Sequence, residues 1–173
     1  MAYPSVKNVR TLDGAGPWQT KSGGELDVLF KIPFELLLEE YFHYDAAETN
    51  KLHSDIRGLR AYTVSKLAQG SMGANEWHKV RSEMVFVVNG RARWDTEDVY
   101  GAKSTAILQR GTGIWLPSFI FHTYAALDND TEILVIANTL FDPDDTSTHD
   151  TYSENLFKQL QREVKEAGGS STG

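Results

Sequence analysis

From residue 59 to residue 138 the chain is a succession of short apolar runs, most of them bounded by glycine, asparagine, aspartate or proline. The runs cover 59–67, 84–88, 92–94, 104–108, 113–116, 122–126 and 132–138. Runs of this length, rich in β-branched and aromatic residues and separated by turn formers, predict strands rather than helices. Between two of them stands Asn89-Gly90, a pair that tolerates positive φ at both positions and so predicts a tight hairpin. Consecutive antiparallel strands favour an all-β double-sheet jelly roll or closed barrel over an alternating α/β fold.

The flanks follow other patterns. Residues 1–24 hold Pro4, Gly14, Gly16, Pro17, Gly23 and Gly24, which predicts an irregular arm or short strands separated by turns. Such an arm is placed to cover a barrel edge or to exchange across a homodimer. Residues 26–44 allow two readings. Leu36, Leu37 and Leu38 among acidic residues permit a helix, whereas Val28-Leu29-Phe30 and Tyr41-Phe42 permit strands, with Pro33 as a boundary. Residues 45–55 are polar and suit a loop or short helix. Beyond Asp142 the stretch 142–150 is acidic and turn-rich, 152–167 has the period of an amphipathic helix with Ser153 or Asn155 placed to start it, and 168–173 reads as a frayed tail. The expected organisation is an N-terminal arm and variable segment over 1–58, a barrel core over 59–141, and an acidic turn, C-terminal helix and flexible tail over 142–173.

Composition narrows the function classes. A chain of 173 residues with 40% hydrophobic residues can bury one sizeable core. The net charge of -7, with no basic residues gathered on a predictable face, disfavours nucleic-acid binding. No apolar stretch approaches the length of a membrane span and no basic segment followed by an apolar run opens the chain, so a cytoplasmic protein is expected. The absence of cysteine removes thiolate zinc and iron–sulfur sites and leaves oxygen and nitrogen ligands.

Within the strand region Glu76, His78, Glu83 and His122 are the residues with chemistry to offer. Glu76 and His78 lie two apart, which on a strand puts both on one face, and pairing between strands can return Glu83 and His122 to the same point. Imidazoles and carboxylates together suit a divalent metal, with Fe, Mn, Ni and Zn all compatible. For Glu83 the alternative is a salt bridge to Arg81 or Arg93, and for Glu76 an ordinary surface position. His43, His53 and His149 are not expected to be ligands.

The run from Gly70 through Glu76, His78 and Glu83 to Gly90 resembles the first motif of the cupin superfamily, with Glu76 where a first histidine would stand. Gly111, Pro117, Ser118, Phe119 and His122 resemble the second, with Phe119 departing from the usual glycine and Ala126 from the usual asparagine. The resemblance spans roughly 59–140 and implies a double-stranded β-helix, the cupin jelly-roll barrel. It also implies a metal-dependent enzyme acting on a small polar or carbonyl-containing metabolite, by oxygenation or by isomerisation or elimination.

A second, partial resemblance is to the nucleotide-sugar 3,4-ketoisomerases within that superfamily. It is carried by Ile32-Pro33-Phe34-Glu35, the His78-Lys79 pair, Gly113-Ile114-Trp115-Leu116-Pro117, His122 and the run 141–145. That resemblance implies metal-independent acid–base catalysis by His78 on a nucleotide-sugar, with Lys79 or Arg81 on phosphate. Glu83 points the other way, since a glutamate there is expected of a metal-binding cupin. His78, His122 and Tyr124 are the catalytic candidates, and Trp77, Lys79, Arg81, Trp115 and Phe119 the substrate-binding ones. A non-catalytic binding module, with Trp77, Trp94, Trp115, Phe119, Phe121 and Tyr124 as an apolar wall, is the third reading.

Overall fold

The strand 83–89 carries apolar side chains on both faces, and this decides where it lies. In the computed structural model, which describes residues 3–42 and 57–169, that strand is central to a five-stranded antiparallel sheet. The sheet runs in the order β1 (Arg10–Asp13), β9 (Thr112–Leu116), β6 (Glu83–Asn89), β11 (Thr131–Thr139), β4 (Arg57–Leu67). A second sheet runs β12 (Tyr152–Ser153), β5 (Met72–Trp77), β10 (Phe121–Ala126), β7 (Arg91–Glu97), β8 (Lys103–Gln109). A separate hairpin joins β2 (Ala15–Gln19) to β3 (Glu25–Val28). The two five-stranded sheets form the jelly-roll barrel.

Val85 and Val87 of β6 point between the sheets, where they meet Trp94, Leu108, Ile114, Ile133 and Val135 in the barrel core. Met84 and Phe86 point outward beside Trp115 of β9 and are covered by the N-terminal segment through Leu12, Leu29, Phe30 and Tyr41. The outer face of the second sheet is covered in turn by the C-terminal helix (Glu154–Gly169), whose Phe157 packs with Trp77, Val99, Phe119 and Phe121. Both sheets are therefore buried on two faces over part of their area, which is why β6 reads as an unbroken apolar run.

Asn89-Gly90 makes the turn from β6 to β7 with Gly90 at φ 72°, a left-handed conformation that glycine adopts without strain. The expected hairpin does not form: β6 pairs with β9 and β11 and β7 with β8 and β10, so the turn carries the chain from one sheet to the other. Of the two roles open to the N-terminal arm, it covers the edge of its own sheet, β1 pairing with β9. Of the stretch read two ways, residues 26–42 are described: β3 ends at Val28, and Phe34–Leu36 and Leu37–Tyr41 form consecutive helical turns, so the helix around Leu36–Leu38 forms while no strand forms at Leu29-Phe30 or Tyr41-Phe42. The C-terminal helix starts at Glu154, directly after Ser153. His43, His53, the polar stretch expected over 45–55 and the last four residues lie outside the described residues. No helix among the described residues is long and apolar enough to cross a membrane.

Candidate active site

Strand β5 would not aim Glu76 into the barrel without an irregularity. Opposite β10, His122 pairs with Glu76 but Thr123 pairs with Ala74, so Asn75 is an extra residue in the ladder. Ala74 and Asn75 both take left-handed conformations, at φ 59° and 65°. A bulge of this kind re-aims the side chains that follow it, at a conformational cost of about 1–3 kcal/mol for each residue so held. Immediately before the bulge, Gly73 lets the Tyr124 phenol lie against the β5 backbone, where a Cβ would collide with the hydroxyl.

His78 leaves the end of β5 and starts the turn into β6. Asp150, some seventy residues later and fully buried, holds that turn. Its carboxylate accepts the main-chain N–H groups of Lys79 (2.9 Å), Val80 (2.8 Å) and Arg81 (2.7 Å), and its carbonyl accepts Nδ1 of His78 at 2.5 Å. A carbonyl only accepts, so Nδ1 carries the proton and Nε2 presents a lone pair to the barrel interior. His122 is arranged likewise, with Nδ1 donating to the carbonyl of Ile120 at 3.0 Å.

The two Nε2 atoms converge on carboxylates. Nε2 of His78 lies 3.7 Å from Glu76 Oε1 and 3.7 Å from Glu83 Oε1, and Nε2 of His122 lies 3.6 Å from Glu83 Oε2. These separations are too long for hydrogen bonds. The Nε2 lone pair of His78 faces carboxylate oxygens, an arrangement that calls for a proton, a polar substrate or a cation between them. His78 Nε2 is buried and has no hydrogen-bond partner.

Glu83 is divided between two roles. Its Oε1 accepts the Tyr62 hydroxyl at 3.1 Å and Nη1 of Arg81 at 3.3 Å, so the buried salt bridge to Arg81 anticipated from the sequence forms. Arg93 pairs with Asp95 instead. Glu76, His78 and His122 each bring one ligand-type atom within 4.8 Å of the others, whereas Glu83 spans the two imidazoles from the side.

Burial governs the protonation states. It holds the His78 imidazole well below the ordinary histidine range, helped by the positive charge of Arg81 and by His122. Burial pushes the Glu76 carboxyl up, His122 opposing the shift and Glu83 adding to it. Tyr62 is raised by burial and then by Glu83, so its hydroxyl stays a donor. Although His78 and Glu83 are near enough for an ion pair, a neutral imidazole makes none.

Beside this cluster is a cavity of about 400 Å³ lined by Arg60, Tyr62, Arg81, Phe141 and Thr151. The Arg60 guanidinium lies 5.0 Å from the Tyr62 ring centroid and 5.1 Å from that of Phe141, and Thr151 Oγ1 accepts Nη2 of Arg81 at 3.3 Å. The Nε atoms of both arginines are buried without a partner. A larger cavity, about 550 Å³, lies between the β7–β8 turn and the C-terminal helix. Neither cavity has Glu76, His78, Glu83 or His122 in its wall, but the smaller one is walled by Tyr62 and Arg81, which both donate to Glu83. Chemistry rather than size therefore identifies the site.

The structure brings Glu76, His78, Glu83 and His122 together, with Arg81 alongside. Tyr124 is on the same face of β10 as His122, packed against Trp94, and close enough to Glu76 for the carboxylate to help burial raise its phenol. The other substrate-binding expectations fail on packing. Trp77 is on the opposite face of β5 from Glu76, packed at tilted angles among Phe119, Tyr152 and Phe157 with Nε1 donating to the Ser153 carbonyl. Phe119 and Phe121 belong to the same outer cluster, and Trp115 is buried under the N-terminal arm against Tyr41. Lys79 points outward over the Tyr152 ring. The six aromatics therefore form no common wall, which removes the structural basis for the third reading.

Sequence reasoning missed Arg60, Tyr62, Asp150 and Thr151. The period-2 alternation of β4 carries a signal for the first two, because Arg60, Tyr62 and Val64 share one face. Asp150 and Thr151 have no local signal, since their partners are about seventy residues away.

Solved structures with this fold include the sugar 3,4-ketoisomerase QdtA from Thermoanaerobacterium thermosaccharolyticum, in complex with TDP. It is 14% identical with a TM-score of 0.61, over 91% of this chain and 96% of that one. The TDP-fucose-3,4-ketoisomerase WlaRA from Campylobacter jejuni is 15% identical with a TM-score of 0.60, over 91% of this chain and 98% of that one. The dTDP-4-dehydrorhamnose 3,5-epimerase from Bacillus anthracis str. Ames, with TDP and pyrophosphate bound, is 10% identical with a TM-score of 0.60, over 82% of this chain and 78% of that one. At these identities the likeness is one of fold, the cupin jelly roll. No curated protein sequence matches the chain. Residues 45–156, well over half of the sequence, match the family described as FdtA: WxcM-like, C-terminal, and the chain belongs to that family.

Proposed function

We propose that this protein is an isomerase or epimerase of a nucleotide-linked keto sugar, with Nε2 of His78 as the proton-transferring base. The observation that carries the reading is the fixed tautomer of His78, a neutral imidazole whose lone pair faces the buried cluster. Such a base removes a proton from carbon beside a carbonyl, and reprotonation at the neighbouring carbon or on the opposite face gives ketoisomerisation or epimerisation. Glu76, whose burial favours the protonated carboxyl, is placed to return the proton. Tyr62 and Arg81 are the donors for a developing enolate oxygen, and Tyr124 is a further neutral donor near Glu76. Arg60 and Arg81, with unpartnered nitrogens beside the 400 Å³ cavity, supply the positive charge that a sugar-linked diphosphate requires.

Family membership supports this choice over oxygenation, and the fold relatives named above are described as sugar ketoisomerases and an epimerase. Nothing in the family match or in the fold relatives supports oxygenation. A second reading, a metal-assisted isomerase, is favoured by the orphaned Nε2 of His78 and by the convergence of Glu76, His78 and His122. These residues, with Glu83 beside them, fit a divalent Fe, Mn, Ni or Zn ion, which would polarise a substrate carbonyl. Arg81 weakens that reading, because it already neutralises Glu83.

The test is turnover of TDP-4-keto-6-deoxyglucose and related TDP-4-keto sugars by chelator-treated protein, with products resolved by chromatography and NMR. Isomerised product without metal is expected. Product formed only after a divalent ion is restored would establish the second reading, and no product from any keto sugar under either condition would overturn both.

A further inference from the structure

We infer that Asp150 is the positioning residue of this site: it fixes the tautomer of His78 through its carbonyl and holds the turn carrying His78 and Arg81 through its carboxylate. Four donors from consecutive residues end on this one side chain and its own carbonyl, Nδ1 of His78 and the N–H groups of Lys79, Val80 and Arg81. Three N–H groups converging on one carboxylate make a nest that a neutral side chain cannot satisfy. The neighbouring residues extend the clamp. Thr151 accepts from Arg81, Tyr152 pairs with Trp77, and the Ser153 carbonyl accepts the Trp77 indole N–H. Segment 150–153 thus grips segment 77–81 along its whole length, and the site is assembled from two parts of the chain that meet only on folding.

Asp150 does not face the cavity and has no part in the proton transfer. Its effect is exerted through which nitrogen of His78 carries the proton. If the carbonyl of Asp150 moves, the imidazole is free to place its proton on Nε2, and the base is then lost without any change in the reacting groups. The inference rests on the proposed use of Nε2 of His78, but its test needs neither substrate nor turnover.

The experiment is a long-range proton–nitrogen correlation spectrum of the imidazoles in nitrogen-15-labelled protein, recorded with chelator near neutral pH and assigned with His78→Gln. In the wild type His78 is expected with the proton on Nδ1 and a lone pair on Nε2. In Asp150→Asn, whose carboxamide has one acceptor oxygen where the carboxylate has two, His78 is expected to populate both tautomers while His122 keeps its pattern. Amide exchange of Lys79, Val80 and Arg81 in the wild type gives an independent reading should Asp150→Asn fail to fold, and strong protection is expected. A wild-type His78 protonated on Nε2, free exchange of the three amides, or an Asp150→Asn protein with an unaltered His78 signal would each overturn the inference.

Discussion

Replacing His78 by glutamine removes the lone pair that faces the cluster while keeping a polar side chain near the Asp150 carbonyl. Loss of a general base of this kind is expected to lower kcat about 100-fold or more, measured by product formation from a TDP-4-keto sugar. The same histidine gives a stability signature. Burial depresses its pKa in the folded protein, so over the interval below the ordinary histidine value the unfolded chain binds more protons than the native one. Stability from this group is then full above about pH 6.5 and falls as the pH is lowered, by up to about 1.4 kcal/mol per pH unit. Glu76 acts with the opposite sign, since its raised pKa favours the folded state at low pH and costs stability as the pH rises through the ordinary carboxyl range. Denaturant titrations of metal-free protein against pH should show the wild type losing ground to His78→Gln on acidification. Glu76→Gln should gain on the wild type as the pH rises. A parallel pH dependence for wild type and His78→Gln would mean that His78 is not buried as a neutral base.

At the scale of elements, the C-terminal helix does more than close the outer face of a sheet. It follows directly on the strand that clamps β5, and Phe157 anchors it among Trp77, Phe119 and Phe121. Phe157→Ala should cost about 3–5 kcal/mol of unfolding free energy, measured by denaturant titration; a loss below about 1 kcal/mol would show that the helix is only loosely docked. The strands of the barrel were legible because alternation and turn residues encode them locally, but Asn89-Gly90, which reads as a hairpin turn, instead carries the chain from β6 in one sheet to β7 in the other. The convergence of Glu76, His78, Glu83 and His122 was legible in outcome but only partly in route: strand pairing sets His122 beside Glu76 as expected, whereas His78 lies just past the end of β5 and Glu83 comes from the opposite sheet. The bulge at Ala74 and Asn75 was hidden, because alanine gives no sign of a left-handed conformation and a lone asparagine, which tolerates one, does not mark a bulge inside a strand. Aromatic residues misled: Trp77, Trp115 and Phe119 are apolar enough for a substrate wall, and only the packing of arm and helix on the outer faces shows that they are used there. The role of Asp150 has no sequence signature because its partners are distant along the chain.

At the scale of the whole molecule, β4 is the outer strand of its sheet among the described residues, and it is eleven residues long with Leu59 60% exposed. A long unpaired edge with an exposed leucine is a surface that a second copy can cover. A stable homodimer is the expected state, and light scattering over a wide concentration range checks it; a monomer persisting at high concentration, or a dimer unaffected by Leu59→Lys, would exclude this edge. The proposed function requires the barrel to hold a neutral imidazole base that acts beside a sugar carbonyl without a metal. The most direct measurement is solvent deuterium wash-in to TDP-4-keto-6-deoxyglucose, followed by NMR with chelator-treated protein in heavy water. The account expects deuterium at the carbon beside the carbonyl with wild-type protein and its loss with His78→Gln. Exchange that persists undiminished in His78→Gln, or that appears in the wild type only when a divalent metal is added, would contradict it.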